Sequence, residues 1–354
     1  MDVVIEDRGR ADAARVETKE TGSAVCGAEI ARGPKAAAAV TVAPELGPAA
    51  TLSPATETSA RAEPSAARRR YVLGLLVAVG LAAWIDRNVL SVLLESIKAD
   101  LGFSDTELGL LGGTAFGLFY AGVGLPVALL GDRGNRRSLI ALALGLWSVM
   151  TALCGLASGF AALFLARVGV GVGEAGGTPP SHSLISDLFP PERRASALGI
   201  FSLYIPLGFL IGYAGGGWLD ERVGWRLAFV IVGLPGVLLA LLVRLTVREP
   251  RRGAREGLAD TAAPAPLLSS LRVFSRRASL RHLPLGGALY GIGAFASAVW
   301  LPSYFARAFG AGSAEAGAWI ALAYGAGGVA GVLAGGWLAD RLVRRSGDAR
   351  WYAW

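Results

Sequence analysis

Four ionisable residues interrupt stretches that are otherwise apolar: Asp86 and Arg87 within LAAWIDRNVL, and Arg167 and Glu174 within FLARVGVGVGEAGG. A charge at the centre of a membrane helix costs about 2.5 to 3.5 kcal/mol on insertion scales, so its retention needs a reason. Asp86 and Arg87 are neighbours, which on a helix point about 100° apart and cannot satisfy only each other. Arg167 and Glu174, seven residues apart, share one helical face. They stand about 10 Å apart along the axis, too far for a direct ion pair, so each is expected to meet a group on another helix. Pairing at a helix kink for structure alone is the bland alternative.

Other apparent chemistry is weaker. Gly171, Gly173 and Gly176 satisfy a GxGxxG string, but the flanks are continuous apolar residues without a strand and a turn, so close helix packing is expected and not a dinucleotide. Gly208, Gly212 and Gly216 are spaced four apart and read the same way. Ser181, His182 and Ser183 are adjacent, yet neighbouring side chains on a helix diverge and no acid is placed to orient the imidazole. His182, Thr178, Pro179 and Pro180 read instead as a helix distortion beside a permeation path. Two histidines and two cysteines, Cys26 and Cys154, offer no metal-ligand spacing and no plausible disulfide. No metal, no cofactor and no enzymatic activity are expected.

The elements that must carry these residues follow from hydropathy. At 53% hydrophobic and 17% charged, with mean hydropathy +0.49, the chain has more apolar surface than a soluble core can bury. Spans are expected at 71–94, 108–130, 138–159, 161–184, 195–218, 225–246, 283–306 and 313–339, with a ninth beginning near Trp351. Ser104 and Glu107 form a capping-box pattern before the second, and Pro190 with Pro191 ends the fourth. Residues 1–67 lack Phe, Tyr and Trp and are expected to be a disordered tail without a cleaved leader.

The net charge of +7 points to membrane topology and not to nucleic acid, because the basic residues cluster between apolar runs. Arg68, Arg69 and Arg70, Arg133, Arg136 and Arg137, Arg193 and Arg194, and the arginines of residues 247–282 all fall on one side, which is expected to be cytoplasmic together with the N-terminus. Trp218, Trp225, Trp300 and Tyr304, near expected helix ends, are read as interfacial anchors.

LLGDRGNRR at 129–137 recurs as WLADRLVRR at 337–345. A basic loop accounts for the arginines but not for the repeated aspartate, and two homologous halves are expected. Both copies resemble the loop signature of the major facilitator superfamily, G-x-L-A-D-R-x-G-R-R/K, with Ala128, Asn135 and Val343 departing from its glycines. Trp84-Ile85-Asp86-Arg87, RVGVGVGEA at 167–175, Asp187-Leu188-Phe189, Ile205-Pro206-Leu207-Gly208 and Gly224-Trp225-Arg226 resemble its spinster-type branch.

The resemblance implies an all-α membrane protein, a major facilitator-type bundle with a complete six-helix first half at 68–246, a cytoplasmic linker at 247–282 and about two helices of the second half at 283–354. Superfamily members have twelve helices, so a chain ending at Trp354 is expected to be either a fragment or a truncated, transport-incompetent membrane protein. Helices 9 to 12 encoded downstream would favour the first. The implied function is secondary active transport of small organic or amphipathic solutes by alternating access in the inner membrane of a bacterium, with drug, sugar-acid or carboxylate carriers as alternatives. Protons and lipids are the other implied partners. Asp86 and Glu174 are then candidates for proton coupling, and Arg87 and Arg167 for pairing with them or holding an anionic group. Asp132, Arg133, Arg136 and Arg137, with Asp340, Arg341, Arg344 and Arg345, are candidates for a cytoplasmic gating motif.

Overall fold

The structure, a computed structural model, describes residues 65–250, 252, 276 and 278–346. The expected tail up to residue 64, with Cys26, most of the expected linker and the ninth span at Trp351 lie outside these residues. The described residues form helices and no strands. In lipid a backbone must satisfy its own polar groups, and the α-helix does so within one segment.

Among the described residues, seven helical stretches are long and apolar enough to cross a membrane. They comprise α1 (Ala66–Leu101), α2 (Asp105–Gly131), α3 (Arg136–Cys154), α4 (Phe160–Leu188), Pro191–Thr246, α7 (Ala278–Phe309) and α8 (Ser313–Ser346). Pro191–Thr246 breaks at Gly224, where φ is +76°, a backbone conformation that glycine adopts without a Cβ clash. The chain reverses there. Gly208, Gly212 and Gly216 meet Trp84, Asn88 and Val89 of α1 in ascending order, whereas Gly233, Gly236 and Ala240 meet Ala152, Ser148 and Gly145 of α3 in descending order. The two arms are therefore separate spans, α5 (191–223) and α6 (225–246), which makes eight segments where the sequence places eight. Their ends run further than the apolar runs, because α4 continues to Leu188 and α7 begins at Ala278.

Local signals account for the ends. Ser104 and Glu107 make the reciprocal capping box before α2, and the Asn135 side chain accepts from the Ser138 amide to open α3. Both helices carrying a copy of the repeated loop also contain a π-helical turn upstream of its aspartate, Leu110–Thr114 in α2 and Ala321–Ala326 in α8. Such turns widen a helix locally and are common where helices serve a function.

α1 is the axis of the packing. Towards its first half, Leu76 and Val79 join Leu144, Trp147, Val170 and Leu184 in one apolar cluster; towards its second half, Leu90, Leu93 and Leu94 join Leu108, Leu163 and Phe229 in another. Outward-facing stripes are equally regular: Leu142, Leu146, Val149 and Leu153 on α3, and Leu234, Leu238, Leu241 and Leu245 on α6, are exposed at helical spacing. Trp225 departs from the anchoring expectation, being buried with its indole N–H donating to Asp100 at 3.2 Å.

Because lipid is as apolar as the helices, association depends on close van der Waals fit, which small residues permit. A Cβ on Gly233 would stand 2.7 Å from the Ala152 nitrogen and the Ser148 carbonyl oxygen, whereas one on Gly74 would meet nothing within 4 Å. Gly233→Leu is expected to destabilise the protein by about 1–3 kcal/mol or more through overpacking. Gly74→Leu should leave it near wild type, and thermal melts of the detergent-purified variants read the difference.

Candidate functional site

α1 and α4 bring the four intramembrane charges together in two crossed pairs. The Arg87 guanidinium donates through Nε to Glu174 Oε2 at 2.6 Å, and its Nη2 lies 2.6 Å from the same oxygen. Arg167 Nη1 lies 3.4 Å from Asp86 Oδ1. The second Asp86 oxygen accepts a hydrogen bond from the Thr151 hydroxyl of α3 at 2.6 Å. Asp86, Arg167 and Glu174 are buried, at 1–2% exposure, and Arg87 is partly so. Adjacent residues of α1 thus answer residues two turns apart on α4, which their divergent directions require.

The cluster carries two negative and two positive formal charges and is not fully satisfied. Glu174 Oε1 and Arg167 Nε, both buried, have no hydrogen-bond partner among the described residues. Around Arg87 stand three rings, with its guanidinium carbon 4.6 Å from the Phe116 centroid, 5.1 Å from Tyr120 and 5.5 Å from Trp84. Ring faces attract a desolvated guanidinium, so this cation is held from two directions.

The glycines beside Glu174 position it. A Cβ on Gly171 would stand 2.8 Å from the Phe116 carbonyl oxygen, and one on Gly173 2.8 Å from the Trp147 nitrogen. The GxGxxG string is where α2 and α3 close on α4. At its end the chain loosens into a turn before Thr178, and His182 is exposed, edge-on to Phe201 at 5.1 Å. Ser181 is bonded to its own helix through the Gly177 carbonyl.

A second cluster lies at the end of the bundle where α1 begins. Arg136, 1% exposed, pairs with Asp187 at the end of α4 and with Glu249 after α6 at 2.7 Å, and donates to Ser183 and the Pro250 carbonyl. The Arg137 amide donates to Glu249 at 2.9 Å and its side chain to the Val247 carbonyl. Arg252 returns to the carbonyls of Gly131 and Gly134. The α2–α3 loop is therefore tied to two other helix ends. The side chains of Asp132, Arg133 and Asp340 lie outside the described residues. In the second copy Arg341 stacks over Trp337 at 5.2 Å, Arg344 is engaged and Arg345 is exposed.

Sequence reasoning missed Thr151, the Phe116–Tyr120 pair, and Asp187 and Glu249 as partners of Arg136. Signals exist for two of them: Thr151 is a hydroxyl in an apolar helix, and Glu249 is the acid among Arg248, Arg251 and Arg252.

The family model described as Major Facilitator Superfamily matches residues 76–347. The chain is 39% identical over 285 residues to an "MFS-type efflux pump" of Mycolicibacterium smegmatis, covering 80% of this chain and 64% of that protein. It is 32% identical over 248 residues to human "Protein spinster homolog 1", covering 69% and 47%. Among solved structures it superposes with a TM-score of 0.66 and 35% identity on a bacterial homologue of the human lysosomal transporter spinster in an inward-facing, unoccupied conformation, covering 80% of this chain and 64% of that one. The chain thus spans about two thirds or less of the length of these relatives.

Removing one member of a buried pair strands the other. Arg167→Leu is expected to cost roughly 3–5 kcal/mol, whereas Asp86→Asn combined with Arg167→Gln should cost less, because no uncompensated charge remains. Thermal unfolding of the single and double variants tests the order.

Proposed function

Because the chain belongs to the major facilitator superfamily, we propose that it is a secondary active transporter of small organic or amphipathic solutes, working by alternating access and coupled to protons through the Asp86–Arg167 and Arg87–Glu174 pairs. The observation that carries the reading is the buried, crossed, incompletely satisfied charge cluster between α1 and α4. Its formal neutrality is conditional. A proton placed on Glu174 removes the counter-charge of Arg87 and leaves a part-buried guanidinium among Trp84, Phe116 and Tyr120, so the helices must shift or an anionic group must enter. A solute that engages Arg87 displaces the carboxylate in the same way. Proton and solute then act on one pair of helices, which is what coupling requires.

Similarity to an efflux pump, and to carriers named for L-galactonate and for galactarate/D-glucarate, supports a small organic solute. We further propose that 68–246 forms the first half, 247–282 the linker and 283–354 part of the second. The Asp-Arg loops act as the cytoplasmic gating motif, the N-terminus is cytoplasmic, and the protein resides with its lipids in the inner membrane of a bacterium. The basic residues at that end support the orientation.

Proteoliposomes enclosing a pH-sensitive dye test the coupling. Addition of a sugar acid, a lysophospholipid or ethidium should drive proton flux for the accepted solute. Asp86→Asn and Glu174→Gln are expected to abolish that flux while solute binding persists; undiminished flux in Glu174→Gln would overturn the assignment. For orientation, Ala99→Cys should react with an impermeant maleimide on intact cells and Arg193→Cys only after permeabilisation.

A further inference from the structure

The contacts that α7 and α8 make with the first six helices run from the end of the bundle away from the Arg136 cluster to the level of Trp84, where Gly325 and Gly328 of α8 meet Leu210 and Pro206. A Cβ on Gly112 would stand 2.8 Å from Val299, and one on Gly109 3.4 Å from Trp300. Tyr213 donates to the Ala298 carbonyl at 2.6 Å, and the Ala314 amide to Glu221 at 2.9 Å. Towards the other end the same two helices turn exposed: Leu285, Leu289, Tyr290 and Ile292 of α7, and Val332, Leu333, Trp337 and Leu338 of α8.

At the closed end one guanidinium bridges three helices. Arg307 of α7 donates to Glu95 Oε1 of α1 through Nε at 3.0 Å and Nη2 at 2.8 Å. The same group forks onto Asp105 at the start of α2, Nη1 to Oδ2 at 2.9 Å and Nη2 to Oδ1 at 2.7 Å. Lys98 lies 2.6 Å from Asp105 Oδ1, which fixes that carboxylate against α1. The four side chains are 30–52% exposed.

We propose that Arg307, Glu95 and Asp105 form a reversible latch that holds this end shut and must open for the site to be reached from that side. The inference rests on the alternating-access reading above. Two properties suit the cluster to the role. It is polar and reached by water, so separating it exchanges ion pairs for hydration and strands no charge in hydrocarbon, unlike the pairs at Asp86 and Glu174. And one ordered arginine serves two acids on two helices, so release of a single side chain frees α7 from both. The Arg226–Asp100 pair at the same end joins α1 to α6 and does not touch α7, so it is outside the latch.

The test is a distance in the full chain in proteoliposomes, with Cys26→Ser and Cys154→Ala and nitroxides at Ala99→Cys on α1 and Ala308→Cys on α7. Arg307→Gln is expected to enrich the longer-distance population by about threefold or more, the scale of one or two exposed ion pairs. Glu95→Gln with Asp105→Asn should match it, and combining all three should add nothing. Raised sodium chloride should lengthen the distance in the parent and not in Arg307→Gln. An unchanged distance in both variants would overturn the latch, as would an equal shift in Arg222→Gln, whose side chain stacks on Trp218 of its own helix. Failure of both latch variants to fold would make the bridge structural and overturn it too. The readout needs neither solute nor a pH gradient, so loss of the coupling assignment leaves it standing.

Discussion

Hydrocarbon offers a charge no solvent, and most of what is distinctive in this protein follows from that constraint. Asp86, Arg87, Arg167 and Glu174 exist within apolar helices only because α1 and α4 place them opposite one another. The geometry asks much of the surrounding chain. α4 must run close enough to α1 for 2.6 Å contacts, and the glycines around Glu174 let α2 and α3 approach α4, bringing Phe116 and Tyr120 over Arg87 and Thr151 onto Asp86. Small residues and intramembrane charges are thus two sides of one arrangement: the first bring backbones near, and the second need them near.

The same economy shapes the two ends. Where α1 begins, buried Arg136 is matched by acids from two other helix ends, so a loop that would otherwise be solvated becomes a rigid tie between α2, α3, α4 and α6. At the opposite end the ion pairs are exposed and individually weak. A tie that persists and a tie that can be broken are made of the same residue types, and burial separates them.

The eight spans were legible because hydropathy over about twenty residues is a strong signal and needs no tertiary knowledge. The break between α5 and α6 was legible too, since the charged step Asp220-Glu221-Arg222 separates two apolar runs. The boundaries were less so: α4 and α7 extend several residues beyond their apolar runs, and α4 stops where Phe189, the residue before Pro190, turns extended and not where hydropathy falls. Trp225 misled for a related reason. An aromatic near a helix end usually faces the interface, but here Asp100 offers its N–H a partner inside.

By itself the sequence determined that the chain is a helical membrane protein, that four charges lie within its spans, and that none could be satisfied by its immediate neighbour. These are properties of composition and of a period of 3.6 residues. Which partner each charge takes was decided only by the tertiary structure. So were the single carboxylate oxygen that accepts from Arg87, the hydroxyl that donates to Asp86, and the acids that meet Arg136 and Arg307 across as many as 212 residues. Helical periodicity says where a side chain points, but what stands opposite depends on how other helices cross, and that is settled by packing summed over the whole bundle.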